Sequence, residues 1–190
     1  NTFETEMIIS ASGLYSDKLA INLGIEINKM QTVPFRGEYY LLKPDYSYLI
    51  KSLIYPVPNP NLPFLGVHFT KLINGEVEAG PNAVLALARE GYKWNVINFK
   101  ELWESLTYPG LIKFILKYPD VTAGEVIRSL IKPVFVNSLK KLVPDIKSNM
   151  LKKGDAGIRA QLMNINGGLE QDFCIKKNHN LVSILNAPSP

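Results

Sequence analysis

The stretch Pro63–Asn82, PFLGVHFTKLINGEVEAGPN, decides the fold. Two apolar segments, Phe64–Phe69 and Glu76–Ala79, flank the turn-like Ile73-Asn74-Gly75. Asn-Gly tolerates the positive φ angles of tight turns, so the pattern predicts a β-hairpin, with room for a loop longer than two residues. His68 falls inside the first strand, between Val67 and Phe69, and Gly80-Pro81-Asn82 closes the second strand with a rigid turn.

Working outward, Val33–Leu42 (VPFRGEYYLL) reads as the strand before the hairpin, and Gly37 inside it signals a bulge or a close backbone approach. Its Arg36, Tyr39 and Tyr40 are either surface groups or the lining of a pocket. Ser47–Val57 continues with β-type residues into a proline-rich loop, Pro56–Pro63. Nearer the N-terminus, Glu6–Ser10 is followed by the small residues Ala11-Ser12-Gly13 and a helical run, Leu14–Ala20, which predicts a strand–turn–helix unit. Small residues let a backbone approach a ligand closely, although a plain tight turn explains them equally well.

Beyond the hairpin, Val84–Ala88 is a short apolar run that ends at Arg89-Glu90-Gly91, and the chain then turns helical. Asn98 with Glu101 predicts an N-cap, and Phe99, Leu102, Trp103 and Leu106 keep helical spacing. Pro109-Gly110 interrupts the pattern. Thr122 and Glu125 read as a second capping box, followed by a stripe from Val126 to Phe135 that Pro133 should kink or split. Gly157–Leu162 returns to strand and sets Arg159 between apolar neighbours, where a buried guanidinium would require a carboxylate or phosphate partner. Phe173–Lys177 and Leu181–Leu185 flank Asn178-His179-Asn180 as a second hairpin, with His179 exposed in its turn. The strands are expected to form one mixed, largely antiparallel sheet covered on one face by the helices, an α+β fold.

Composition narrows the function classes. The 190 residues are 46% hydrophobic and 20% charged, globular proportions, and the net charge of +4 is modest. The lysine pairs at 140–141, 152–153 and 176–177 lack the interleaved arginines and aromatics of a nucleic-acid surface, so no nucleic-acid partner is expected. Cys174 is the only cysteine, which excludes an intramolecular disulfide and reads as an inert thiol. No apolar run is long enough to span a membrane, and there is no phosphate loop, nucleophile elbow, metal-ligand spacing or G-x-G-x-x-G fingerprint.

Several stretches together resemble one family. Pro34–Leu42 (PFRGEYYLL), Tyr55–Pro58 (YPVP), Pro63–Thr70 (PFLGVHFT), Gly80–Ala83 (GPNA), Arg89–Tyr92 (REGY) and Asn186–Pro190 (NAPSP) are similar to the FAD-dependent L-2-hydroxyglutarate dehydrogenases and oxidases, within the glycine oxidase and D-amino-acid oxidase-like flavoproteins. The family more often carries cysteine and alanine where this chain has Ala11 and Ser12. The resemblance implies a C-terminal piece of a longer flavoprotein, in keeping with Asn1 at the start and a run that stops at Pro190 just after a strand. It implies a remnant of the FAD-binding domain in residues 1–30, a substrate-binding domain in 31–165 and a truncated return toward the FAD-binding domain in 166–190.

It also implies a reaction, the oxidation of a 2-hydroxy acid to the 2-oxo acid. By resemblance His68 is the base, Arg159 binds the substrate carboxylate with Arg36 and Tyr40 in support, and Ser12, Gly13, Asn186 and Pro188 contact the cofactor. FAD is expected in the longer protein but not to be retained by this chain, and a complementing N-terminal FAD-binding half is the expected partner. The implied location is cytoplasmic, with peripheral membrane attachment left open. Two alternatives stand beside this reading: a non-catalytic binding fragment, and a related flavoenzyme acting on an amino acid or glycerol 3-phosphate.

Overall fold

The computed structural model describes residues 4–58 and 62–187. Residues 59–61 of the proline-rich loop and Pro188–Pro190, including the expected cofactor contact Pro188, lie outside them. The strand–turn–helix unit at the N-terminus forms as predicted: β1 (Ile8–Ser10) leads through a 3-10 turn at Gly13–Tyr15 into α1 (Ser16–Asn22). The long strand β2 (Gln31–Leu42) follows. The hairpin then pairs β3 (His68–Lys71) with β4 (Val77–Gly80), setting His68 opposite Gly80 and Lys71 opposite Val77. Gly75 takes φ +85° and Asn74 Oδ1 accepts a hydrogen bond from Glu76 N, the turn chemistry that Asn-Gly supplies. β4 also pairs with β2, with Tyr40 opposite Ala79, and the short β5 (Val84–Leu85) follows.

Ser47–Val57 departs from its expected β character. Pro44 begins a 3-10 helix, Pro44–Leu49, because proline presets φ and withholds an N–H from any ladder, and only Ile54 bridges to Phe69. The helical region divides at its prolines into α2 (Phe99–Leu106), α3 (Pro109–Lys117), α4 (Pro119–Leu130) and α5 (Lys132–Lys140). Asn98 caps α2 by accepting from Glu101 N at 3.2 Å, but Glu101 Oε2 accepts from Arg89 N instead of closing the box. The second expected box fails. Thr122 lies within α4 and its hydroxyl donates to Tyr118 O, while Glu125 accepts from Ala83 N, because Pro119 starts the helix earlier. The stripe does split where Pro133 falls, one residue into α5.

After α5 come β6 (Leu151–Met163), β7 (Cys174–Asn178) and β8 (Leu181–Asn186). The α+β class is as expected, but the strands form two sheets rather than one. The five-stranded sheet runs β3-β4-β2-β5, with β6 on β2, and the three-stranded sheet runs β1-β8-β7. β8 is unavailable to the larger sheet because β1 takes one of its edges in parallel (Ile8 opposite Leu181, Ser10 opposite Ser183) and β7 takes the other.

The chain divides into two compact units. One comprises residues 36–85 and 118–157. Its core packs Phe135, Val136 and Leu139 of α5 against Phe69, Val77 and Ala79 of the sheet, so a helix covers this sheet face as expected. The other comprises 1–35, 86–117 and 158–190, with Ala20, Ile25, Ile27, Leu162, Leu181 and Leu185 as its core. Residues 86–117, expected in the middle segment, pack with the terminal segments instead. Arg89 clasps Asp17, Gln31 Nε2 donates to Glu104 O, and the Tyr108 hydroxyl reaches Lys29 O and Met163 O.

Candidate functional site

In the unit of residues 36–85 and 118–157, strand register decides which side chains meet. Residues directly opposite in antiparallel pairs share a face. His68 is opposite Gly80, and a Cβ built on Gly80 would stand 3.1 Å from Tyr39 Cδ1, so His68, Gly80 and Tyr39 form one row across β3, β4 and β2. Phe69, Ala79 and Tyr40 form the next row, on the opposite face.

The His68 ring is held from two sides. Its Nδ1 lies 3.2 Å from Gly66 O, and its ring stacks on Tyr55 with centroids 4.3 Å apart and planes 26° apart. A carbonyl oxygen only accepts, so Nδ1 carries the proton and Nε2 is the basic nitrogen. Gly66 supplies the carbonyl from φ +82°, the left-handed region that favours glycine. His68 and Tyr39 are both half-buried.

The other predicted binding residues of this unit are not on that face. Tyr40 packs 4.8 Å from the Phe135 ring centroid beneath Lys132, and burial followed by the Glu38 charge pushes its hydroxyl pKa up. Arg36 is fully buried, with Nη2 3.5 Å from Glu38 Oε1, and burial holds its guanidinium below the usual arginine range. Both were expected to support substrate. The structure instead places them on the face of β2 opposite Tyr39, because residues two apart on a strand share a side.

Arg36 belongs to a polar network around Glu38. Glu38 Oε2 accepts from Ser129 Oγ and from Asn82 Nδ2, and Glu38 N donates to Asn82 Oδ1 at 2.7 Å. This network fixes the Gly80–Asn82 turn. Gly37 makes room for it, since a Cβ there would meet Pro81 Cβ at 2.6 Å, so the close approach expected at Gly37 is real.

In the other unit, Arg159 is exposed on β6. Asp155, Gly157 and Arg159 alternate outward. The expectation of a buried arginine is therefore corrected: among the described strands β6 pairs with β2 alone, and an edge strand need not bury both faces. Among the described residues no internal ion pair ties Arg159 down.

The expected cofactor contacts are placed at the β1–α1 turn and the end of β8. Ser12 Oγ lies 3.3 Å from Ser10 Oγ, and Gly13 sits at φ +54° with open space where a Cβ would project. Opposite Ser10, Ser183 Oγ is buried without a hydrogen-bond partner among the described residues. An orphaned buried hydroxyl beside an open glycine turn fits a polar group lying against this turn. Asn186 is different: its Nδ2 already donates to Glu170 O and Asp172 O, so the side chain holds its own loop.

Sequence reasoning missed the buried pair Asp17–Arg89. Arg89 Nη1 reaches Asp17 Oδ1 at 2.6 Å and Nη2 reaches Oδ2 at 2.8 Å, a two-bond fork, while Asp17 also accepts from Thr32 N and Lys18 N. The available signal was Arg89 at the end of the apolar run Val84–Ala88, where a charge demands a partner. Cys174 is half-buried, and burial raises its thiol pKa, in line with an inert side chain.

No family model matches the chain. Curated proteins match it along its whole length. The L-2-hydroxyglutarate dehydrogenase of Indibacter alkaliphilus is 52% identical over 189 residues, covering 100% of the chain and 47% of that protein. The mitochondrial L-2-hydroxyglutarate dehydrogenase of Caenorhabditis elegans is 43% identical, covering 99% of the chain and 44% of that protein. The Escherichia coli K12 L-2-hydroxyglutarate dehydrogenase is 38% identical with the same coverage, 99% and 44%. Among solved structures, the FAD-bound, dithionite-reduced L-alpha-glycerophosphate oxidase of Mycoplasma pneumoniae aligns at TM-score 0.55 and 19% identity, over 94% of this chain and 36% of that one. At that identity the likeness establishes the fold. No described helix is long and apolar enough to cross a membrane. As its motifs implied, the chain resembles the L-2-hydroxyglutarate dehydrogenases from end to end and spans about half the length of those relatives.

Proposed function

We propose that this chain is the substrate-facing part of an FAD-dependent oxidoreductase that converts a 2-hydroxy acid of the L-2-hydroxyglutarate kind to the 2-oxo acid. The observation that carries the reading is His68: a half-buried imidazole fixed in one tautomer by Gly66 O, on a sheet face, in a chain similar throughout to L-2-hydroxyglutarate dehydrogenases.

His68 Nε2 takes the proton of the substrate's α-hydroxyl as general base. Tyr55 stacking and the Nδ1 bond to Gly66 hold the ring's orientation while the charge on it changes. In the other unit, the exposed Arg159 is proposed as a cation for a carboxylate, whose two oxygens match the guanidinium fork. When bound, FAD supplies the two-electron acceptor for the hydride that leaves the α-carbon. Ser12, Gly13 and Ser183, at the β1–α1 turn and on β8, are the groups proposed to lie against it.

In this reading the chain works with an N-terminal FAD-binding half and holds FAD poorly by itself. Cytoplasmic placement, with or without peripheral membrane attachment, belongs to the same proposal. The test is His68→Gln in the full-length, FAD-loaded protein. The expected outcome is a fall in kcat for L-2-hydroxyglutarate of about 10²-fold or more, the scale of general-base catalysis, with flavin retained. Turnover at the unaltered rate would make His68 structural.

A further inference from the structure

The β1–α1 turn is fixed partly by itself and partly by one distant residue. Within the unit of residues 1–35, 86–117 and 158–190, Ser12 O accepts from Tyr15 N at 3.1 Å and Gly13 O accepts from Ser16 N. The next carbonyl, Leu14 O, accepts from Nη1 of Arg89, 75 residues further along the chain. The same guanidinium makes its fork with Asp17 in the first turn of α1, and its Cζ lies 5.7 Å from the centre of the Tyr15 ring. Asp17 Oδ2 accepts from Thr32 N on β2, and Ser16 Oγ donates to Leu185 O on β8. Arg89 is held in its turn, because its N–H donates to Glu101 Oε2 in α2. Residues 14–17 are therefore tied to three other elements. Gly13, just before them, has open space where a Cβ would project.

We propose that Arg89 is a positioning residue for the flavin: it presets the β1–α1 turn so that Ser12 and Gly13 lie ready for FAD beside the Ser183 hydroxyl. The inference rests on the proposed contact of FAD with this turn and adds the residue that shapes it. A turn built on glycine loses conformational freedom when a ligand orders it. A turn already fixed in the free protein does not lose that freedom on binding, so less affinity is spent on ordering. Arginine suits the task by geometry. Nη1 carries two N–H groups, one for Leu14 O and one for Asp17 Oδ1, while Nη2 reaches Oδ2. Lysine keeps the charge but cannot reproduce this planar array of donors.

The test is Arg89→Lys in the full-length protein. FAD is removed and titrated back, and Kd is read from the quenching of flavin fluorescence at a temperature where circular dichroism shows the variant folded. The expected result is a rise in Kd of about 10-fold, the scale on which residues without ligand contact modulate binding. A merely structural role would lower the melting temperature and leave Kd unchanged. An unchanged Kd in the folded variant would overturn the proposal.

A second measurement needs no variant and decides the matter if Arg89→Lys does not fold. Coupling between a network and a ligand is reciprocal. FAD loading should therefore slow amide hydrogen exchange at Thr32 and Arg89, whose N–H groups belong to the network. Equal exchange with and without FAD would overturn the proposal. Ser183→Ala tests the underlying contact separately, since removing a hydroxyl that has no partner among the described residues leaves the fold intact. If Ser183→Ala weakens FAD binding and Arg89→Lys does not, the contact stands and the positioning role is wrong. If Arg89→Lys weakens it and Ser183→Ala does not, the positioning role stands and Ser183 is no contact.

Discussion

At the scale of single residues, the Asp17–Arg89 fork makes the sharpest stability prediction. Both side chains are buried, and removing one partner strands the other's charge. Arg89→Met should therefore destabilise the chain by roughly 3–5 kcal/mol, read as a fall in the urea midpoint at unchanged slope. A change below about 1 kcal/mol would mean that water reaches Asp17 freely. Tyr108 makes a prediction about pH. Its buried hydroxyl donates to Met163 O, and desolvation raises its pKa from 10.0 to about 12. Between these values the unfolded chain gives up the proton first, so stability falls as pH rises from 10 toward 12. Tyr108→Phe should remove that part of the alkaline slope in denaturant titrations across this range. Legibility at this scale was uneven. His68 and Gly37 were readable because their signals are local: a histidine within a strand and a glycine where the backbone is crowded. Arg159, expected to be buried, is exposed, while Arg36, read as either a surface group or a pocket lining, is fully buried. Residue type says that a buried arginine needs a partner, but only the pairing of the strands says which arginine is buried.

At the scale of elements, the turns and breaks were legible and the sheet partners were not. Asn74-Gly75 and Pro133 fix their structures within a few residues. The division into two sheets depends on β1 finding β8 across most of the chain, a pairing that no local pattern records. Helix starts were misread where a nearer proline outcompeted a capping box, as at Pro119 over Thr122. The apposition of β2 and the Gly80–Asn82 turn provides a test. Gly37→Ala puts a methyl group 2.6 Å from Pro81 Cβ and 3.1 Å from Asn82 O, so strand and turn must separate. The expected cost is about 1–3 kcal/mol, the usual range for overpacking, read by thermal or urea unfolding. Gly157→Ala on β6, with open space around it, is the matched control, with an expected change within about 0.5 kcal/mol. Equal effects at both positions would show that backbone entropy, not contact, governs glycine in these strands.

At the scale of the whole molecule, two cores are built from interleaved segments, so neither unit corresponds to a continuous piece of sequence. The row of His68, Gly80 and Tyr39 lies in the unit of residues 36–85 and 118–157. The terminal segments, with residues 86–117, make the other unit, which carries the Ser10–Gly13 turn and the orphaned Ser183 hydroxyl. These groups provide a hydroxyl and a close approach, but the sequence holds no G-x-G-x-x-G turn to bind a pyrophosphate with backbone N–H groups at a helix N-terminus. That arrangement is what holds the pyrophosphate of a dinucleotide. The isolated chain should therefore emerge from gel filtration without stoichiometric flavin, even after incubation with excess FAD. Adding a separately produced N-terminal half of an L-2-hydroxyglutarate dehydrogenase should restore a flavin spectrum to the complex. One flavin per isolated chain would overturn this reading. It would also mean that the Ser10–Gly13 turn and β8 bind the cofactor without a pyrophosphate loop.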